Sequence, residues 1–400
     1  MRIALVAHVR HRIAPPFMGG MEAHSWHLAR ALAGRGHDVT LFASGDSAEG
    51  APPRVRVRPI LGEHYDRAFP WHRFHGTDAL NDHVDLGFAG TCRDLLRGRF
   101  DVIHNNSLHR YIPRLARAER LPMVTSLHVP SFDALRRSVH ESVAPWSRFT
   151  VTSAMQRRSW WPNGAPPEAS VLYNGIDLDQ WSFVTWGDGG AVWAGRITPN
   201  KGTHLAVQAA RIADVPLTIY GVIEHQDYFD DEVRPFLGPS IRYGGHLSGP
   251  DLATRLGAAS VMLFTPLWDE PFGLAAIEAM ATGLPVAAID MGAVREVVGE
   301  AGAYSPANDA AALARAVRQA LAIPRLVGRR RVERLFTLDA MVDASEALYR
   351  TARDGLRARR PDPAFPPLEL AIDPSMVRPS VDRATCPEPG LTGTIAETVG

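Results

Sequence analysis

The sequence predicts an α/β protein made of two doubly wound domains that face each other across a cleft. Three observations carry that prediction. The chain has 400 residues, more than a single core of ordinary size accommodates. Short β-rich runs alternate with helix-period segments almost throughout, the pattern of parallel sheets joined by crossover helices. The passage PPEASVLYNGIDLDQW, with its Pro and Asn-Gly turn formers, separates two such alternating series.

RIALVAH is the first strand. The segment GMEAHSWHLARALAGRG follows as a helix whose buried face is expected to carry Ala23, His27, Leu28, Ala31 and Leu32. Gly34 and Gly36 stop it before the strand HDVTLFA. DVIHNN, PMVTSLH and RFTVTS continue the first series. AVWAG, PLTIYG, SIRYGG, VMLFTP and PVAAID make the second, with the helices GTHLAVQAARIA, GPDLATRLGAA and FGLAAIEAMATG among them. The expected domains are residues 1–172 and 173–340. A helix over 341–360 follows, with its crossing back to the first domain left open. Residues 361–400 carry repeated proline without periodicity and read as an extended or disordered tail.

Composition narrows the function. An apolar content of 46% with 22% charge describes an ordinary globular protein, and no apolar run approaches the roughly 20 residues that span a bilayer. Met1 to Arg12 reads as a strand rather than a leader. Cys92 and Cys386 make neither a disulfide framework nor a metal site, so the expected setting is cytoplasmic. The net charge of 0 conceals an asymmetry: residues 1–172 hold 22 Arg against 15 acidic residues, a balance of +7, and the remainder balances at −7. A basic first half suits an anionic substrate or peripheral contact with an anionic membrane at its inner face, with Arg110, Arg114 and Arg117 as candidate contacts. Chance placement of solvated charges explains it equally well. Nothing resembles a nucleic-acid surface.

Lys201 is the only lysine among 43 basic side chains. It lies with Arg196 on the loop between the strand AVWAG and the helix GTHLAVQAARIA, flanked by Gly195 and Gly202. Glycines permit close backbone approach and a helix N-terminus favours an anion, so a diphosphate would suit this loop; two solvated cations are the plain alternative. A second constellation, WDEPFGLAAIEAMATG, leaves the strand VMLFTP. It sets Glu270 on an exit loop, Pro271 at an expected helix start, the amides of Phe272, Gly273 and Leu274 as unsatisfied donors, and Glu278 on the helix. Carboxylates so placed can bind sugar hydroxyls and a ribose diol, or simply cap a helix and face solvent.

Taken together, Gly195-Arg196, Lys201-Gly202, Glu270-Pro271-Phe272-Gly273 and Glu278-Ala279-Met280 resemble the retaining GT-B glycosyltransferases, the large family that includes sucrose synthase and bacterial cell-envelope mannosyltransferases. The resemblance covers roughly residues 1–350. It implies two Rossmann-like domains, a nucleotide diphosphate sugar donor and a sugar, lipid-linked or small-molecule hydroxyl acceptor, with no cofactor and no required metal. It assigns Arg196 and Lys201 to the donor diphosphate, Glu270 to the donor sugar and Glu278 to the ribose. Gly19 and Gly20 resemble the family's Gly-rich loop near the diphosphate and acceptor. His128, in SLHVP, resembles the histidine that reaches the transferring sugar, and Leu247 would meet the base through its backbone.

Within DVIHNNS, His104 is followed by Asn106 where the family often has a second histidine. Asn174 reads as a turn residue, and the Asp177/Asp179 pair as incidental. The family commonly places a second glycine two residues after the one at Gly221; here Val222 and Ile223 follow, which leaves the donor base open. A nucleotide-sugar epimerase or a phosphorylase-like enzyme remains an alternative on the same architecture. A dinucleotide-dependent oxidoreductase is disfavoured, because no G-x-G-x-x-G follows the first strand.

Overall fold

The computed structural model describes residues 1–306 and 309–358; the tail expected over 361–400, Cys386 included, lies outside the described residues. Two parallel sheets organise the chain. The first contains β1 (Arg2–Ala7), β2 (Asp38–Ala43), β3 (Val55–Pro59), β4 (Val102–Asn106), β5 (Met123–Leu127), β6 (Ser147–Val151) and β7 (Ala169–Val171), in the order β3-β2-β1-β4-β5-β6-β7. The second contains β8 (Ala191–Ala194), β9 (Leu217–Tyr220), β10 (Ile241–Tyr243), β11 (Val261–Phe264), β12 (Val286–Ile289) and β13 (Gly302–Ser305), in the order β10-β9-β8-β11-β12-β13. In each, the order reverses beside the first strand, the topological switch point where open α/β sheets bind ligands.

Both faces of both sheets are covered, which is why the central strands read as near-continuous apolar runs. On one face of the first sheet Ile3, Leu5, Val39 and Leu41 pack with Leu28 and Leu32 of the helix Gly20–Gly34 and with Val342 and Tyr349 of the last helix, Leu338–Arg357. Ala4, Val6 and Phe42 point the other way, onto Phe88, Ile112 and Leu115. The second sheet divides likewise. Val192, Met262 and Val286 meet Ile277, Met280 and Val332, whereas Trp193, Leu217 and Leu263 meet Leu205, Val207, Leu313 and Val317.

The chain passes between the sheets twice, and the two passages are bonded together. Ile176 N donates to Phe336 O and Leu338 N to Ile176 O, both at 2.9 Å. Gly175 lies so close that a Cβ there would sit 2.3 Å from Thr337 O. Glu296 of the second domain also accepts from Ala154 N and Met155 N at the start of the helix Ala154–Trp160 of the first, at 2.7 and 3.1 Å.

Three expectations are corrected. The buried face of the helix Gly20–Gly34 runs through Ser25, Leu28, Ala29 and Leu32, so Ala23 and His27 turn toward the cleft instead of the core. The helix expected from Pro271 begins at Leu274, because Gly273 takes a left-handed φ of 102° and Phe272 enters the core. Arg110, Arg114 and Arg117 form no open basic face: Arg110 pairs with Asp85, Arg114 with Glu141, and Arg117 is buried over Trp146. Among the described residues no helix is long and apolar enough to cross a membrane.

Candidate active site

The site lies where the carboxyl ends of the two sheets face each other. β8 ends at Ala194 and delivers Gly195 and Arg196; β11 ends at Phe264 and leads to Glu270; β5 ends at Leu127, immediately before His128. Two adjoining cavities result, of about 200 and 230 Å³, sharing Gly20, Ala194, Gly195, Arg196, Leu274 and Ala275. The first holds Gly19, Leu247 and Glu278, and the second His128, Lys201, Glu270, Phe272 and Gly273. Every residue that the resemblance assigns to donor or acceptor therefore lines one cavity or both.

Lys201 closes a short 3₁₀ turn, Pro199–Lys201, ahead of the helix Thr203–Ala213. Gly202 is left-handed at φ 63°, and a Cβ on it would sit 2.3 Å from Thr265 O, so that position requires glycine. Thr265 Oγ1 donates to Lys201 O at 2.8 Å and accepts from Trp193 Nε1 at 2.9 Å, which fixes the turn against β11. The Lys201 Nζ lies 2.6 Å from Glu270 Oε2, and Trp268 Nε1 donates to the same oxygen at 2.7 Å. The ammonium also sits 4.9 Å from the centre of the Trp268 ring. Ammonium, carboxylate and indole thus form one enclosed group, with Lys201 and Glu270 side chains 18% and 8% exposed.

The helix Leu274–Thr282 presents its N-terminus to both cavities, where its first amides have no helical partner and attract negative charge. Gly20 allows the two domains to touch here: a Cβ on it would come within 2.6 Å of Leu274 Cδ1. Glu278, on the same helix, makes no hydrogen bond or ion pair among the described residues, and burial pushes its carboxyl up to about 7.

His128 faces the second cavity from the first domain. Burial first, then His104 and His8, push its imidazole down to about 3, so it is neutral. Its Nε2 lies 3.2 Å from Asn106 Oδ1, and its ring centre 4.4 Å from that of His24. His104 belongs to the scaffold, with Nδ1 2.6 Å from the Tyr349 hydroxyl and Nε2 2.9 Å from Ser126 Oγ. Asn174, read as a turn residue, is buried and lines the second cavity beside His128. Asp177 is held by Arg30, and its Oδ1 accepts from Asp179 N at 3.2 Å, a local turn.

Sequence reading overlooked Trp268, which lines the second cavity, His24 and Tyr220, which line the first, and Glu224, which pairs with Arg196. Trp268 carried a usable signal, since it stands two residues before Glu270 in the quoted motif. The others carried none, because their positions depend on how the chain folds back across the cleft.

Residues 190–333 match the family model described as Glycosyl transferases group 1, and residues 18–180 the one described as Glycosyltransferase Family 4. The glycogen synthase of Mycobacterium tuberculosis (strain H37Rv) is 30% identical over 423 aligned positions, covering 93% of this chain and 99% of its own. This chain belongs to the GT-B glycosyltransferases. Solved structures of such low identity speak to fold alone, and they agree with this membership. Sucrose-phosphate synthase from Thermosynechococcus elongatus superposes with a TM-score of 0.69 at 21% identity, covering 88% of this chain and 98% of the other. Anabaena Alr3699/HepE, solved in complex with UDP and glucose, gives 0.65 at 18% identity, covering 87% and 99%. As a glycosyltransferase, the chain builds its cleft between two Rossmann-like domains, with the matched motifs along both rims.

Proposed function

We propose that this glycosyltransferase is a retaining, metal-independent hexosyltransferase that uses a nucleotide diphosphate sugar and a hydroxyl acceptor. The observation that carries the reading is the meeting of the two cavities at Arg196 and the N-terminus of the helix Leu274–Thr282. The first cavity takes the nucleoside, with Glu278 accepting from the ribose diol and the Leu247 backbone near the base. The second takes the sugar, between Glu270 and His128. The diphosphate then lies at their junction, where Arg196, Lys201 and the helix amides stabilise the charge that develops as it leaves.

Three features support the finer points. Glu270 already receives two donors on one oxygen, which suits a group that positions sugar hydroxyls better than a covalent nucleophile. A neutral His128 suits hydrogen bonding to the sugar. The fixed cations and helix end can take the place of a divalent ion at the diphosphate. A front-face displacement, with the leaving phosphate receiving the acceptor proton, fits these features and retains the anomeric configuration. The glycogen synthase relative makes a glucosyl donor the first to test.

The experiment is a thermal-shift screen with UDP-, GDP-, ADP- and dTDP-sugars, followed by product analysis with and without hydroxyl acceptors. A transferred sugar of unchanged anomeric configuration, formed equally in EDTA, is the expected result. Sugar isomerisation without acceptor would instead favour the epimerase alternative, and activity restored only by magnesium or manganese would overturn metal independence.

A further inference from the structure

The loop that departs from the family pattern carries an acidic residue onto Arg196. After β9 the chain runs Gly221-Val222-Ile223-Glu224 alongside Gly195–Ile197. Gly195 N donates to Tyr220 O at 3.0 Å, Ile197 N to Val222 O at 2.8 Å and Glu224 N to Ile197 O at 3.3 Å. Gly221 is locked into this approach, since a Cβ there would meet Gly195 O at 1.7 Å. Backbone pairing therefore fixes where Glu224 stands.

The Glu224 carboxylate divides its oxygens between the domains. Oε2 accepts from Arg196 Nη1 at 2.7 Å, and Oε1 accepts from Arg10 Nη2 at 2.6 Å. Arg10 lies on the loop after β1 and is itself held, with Nε donating to Asp66 Oδ1 at 3.1 Å and its guanidinium 5.1 Å from the Trp71 ring centre. Burial would raise the Glu224 carboxyl, but Arg196 and Arg10 outweigh it and hold the group ionised below its usual range.

A guanidinium carries five donors in a planar fork, and Glu224 takes only the Nη1 corner. The Nε side lies toward the Gly-rich loop, 3.9 Å from where a Gly19 Cβ would be. Nε and Nη2 together form the edge that grips an oxyanion with two parallel bonds, and neither has a protein partner among the described residues.

We propose that Glu224 and Arg10 are positioning residues that hold Arg196 with its free edge toward the donor diphosphate. The inference rests on the reading of Arg196 as a diphosphate ligand. Arg10 keeps one carboxylate oxygen and limits Glu224 to a single bond with Arg196. Removing the Arg10 guanidinium frees that oxygen. The released oxygen then competes with phosphate for the same guanidinium.

The test compares R10Q, R10K, E224Q, R10Q/E224Q and R196Q. Calorimetry measures binding of inorganic pyrophosphate, alongside donor turnover and melting temperature. R10Q should weaken pyrophosphate about tenfold and lower kcat about ten- to hundredfold, as small misplacements of a catalytic fork do, at nearly unchanged melting temperature. R10K should recover most of the loss. R10Q should have no further effect in the E224Q background, because Arg10 acts through Glu224. Additive losses in the double variant, or an R10Q protein that binds and turns over like wild type while R196Q does not, would overturn the proposal. Unchanged pyrophosphate binding in R196Q would sink the donor-site reading, and this inference with it.

Discussion

Lys201 and Glu270 are joined at 2.6 Å in the second cavity of the cleft, and the Trp268 indole bonds to the same carboxylate oxygen. That arrangement explains why an ammonium stands here when arginine fills the other 42 basic positions. The space between carboxylate and indole ring suits a compact point charge on a flexible stem. A guanidinium is planar, wider and needs its own fork of acceptors.

Lys201→Arg should therefore keep the fold and lose about 1–3 kcal/mol of transition-state stabilisation, the worth of a charge-assisted hydrogen bond. Lys201→Ala should lose at least as much. The measurement is kcat/KM for both variants beside their melting temperatures. Kinetics of Lys201→Arg equal to wild type would remove the diphosphate role.

The two motif carboxylates should separate kinetically. Among the described residues Glu278 stands unpaired in the first cavity, whereas Glu270 is tied into the second. Glu278→Ala should weaken binding of the free nucleoside diphosphate, and Glu270→Ala should chiefly lower turnover of the intact donor. Calorimetry and steady-state kinetics on both variants decide it, and equal nucleotide affinity in Glu278→Ala and wild type would contradict the ribose assignment.

Glu278 should also leave a pH signature in stability. Its carboxyl is raised by burial from 4.5 to about 7. Between those values the native state binds a proton that the unfolded chain has lost, so stability falls as pH rises through the window. Above it, the charged form costs at most about 3 kcal/mol. Glu278→Gln stays neutral throughout. It should be more stable than wild type near pH 8, with the gain shrinking below pH 7 and vanishing below about pH 4.5. Melting temperatures recorded across that range test this, and a constant difference would mean that Glu278 is better solvated than its surroundings indicate.

Gly202→Ala should damage both stability and chemistry. The new Cβ would press on Thr265 O, and the left-handed backbone would be strained. A loss of about 1–3 kcal/mol is expected, with a fall in kcat/KM larger than at Gly164, whose φ is also positive but where a Cβ would meet nothing within 4 Å. Equal effects of the two alanines would show that the Lys201 turn tolerates displacement.

The central strands were legible because burial on both faces makes them uninterrupted apolar runs. β3, β7 and β13 were not, and all are edge strands with interrupted burial: Val55–Pro59 alternates with exposed Arg56 and Arg58, Ala169–Val171 is buried at one position and Gly302–Ser305 at alternate ones. The candidate site was legible wherever one motif spans one strand-to-helix passage, with Lys201 and Glu270 ahead of their helices and Glu278 on the helix itself. Contacts that join distant segments left no local trace. Arg10 and Glu224 are 214 positions apart, and only the folded sheets bring them together. The helix Gly20–Gly34 was placed correctly but rotated, because its small residues line both the core and the cleft and give periodicity too little contrast.

The helix Leu338–Arg357 gives the molecule a definite order of assembly. Tyr349 is fully enclosed against the first sheet, and its hydroxyl reaches His104 beneath the site. The amino-terminal domain is thus finished by residues translated after the whole carboxy-terminal domain. On the ribosome, the second domain can close its own sheet while the first still shows a bare apolar flank, which must wait for the polypeptide to return. A fragment ending at residue 172 would expose that flank permanently. Premature termination would therefore yield an adhesive half-protein instead of a self-contained domain.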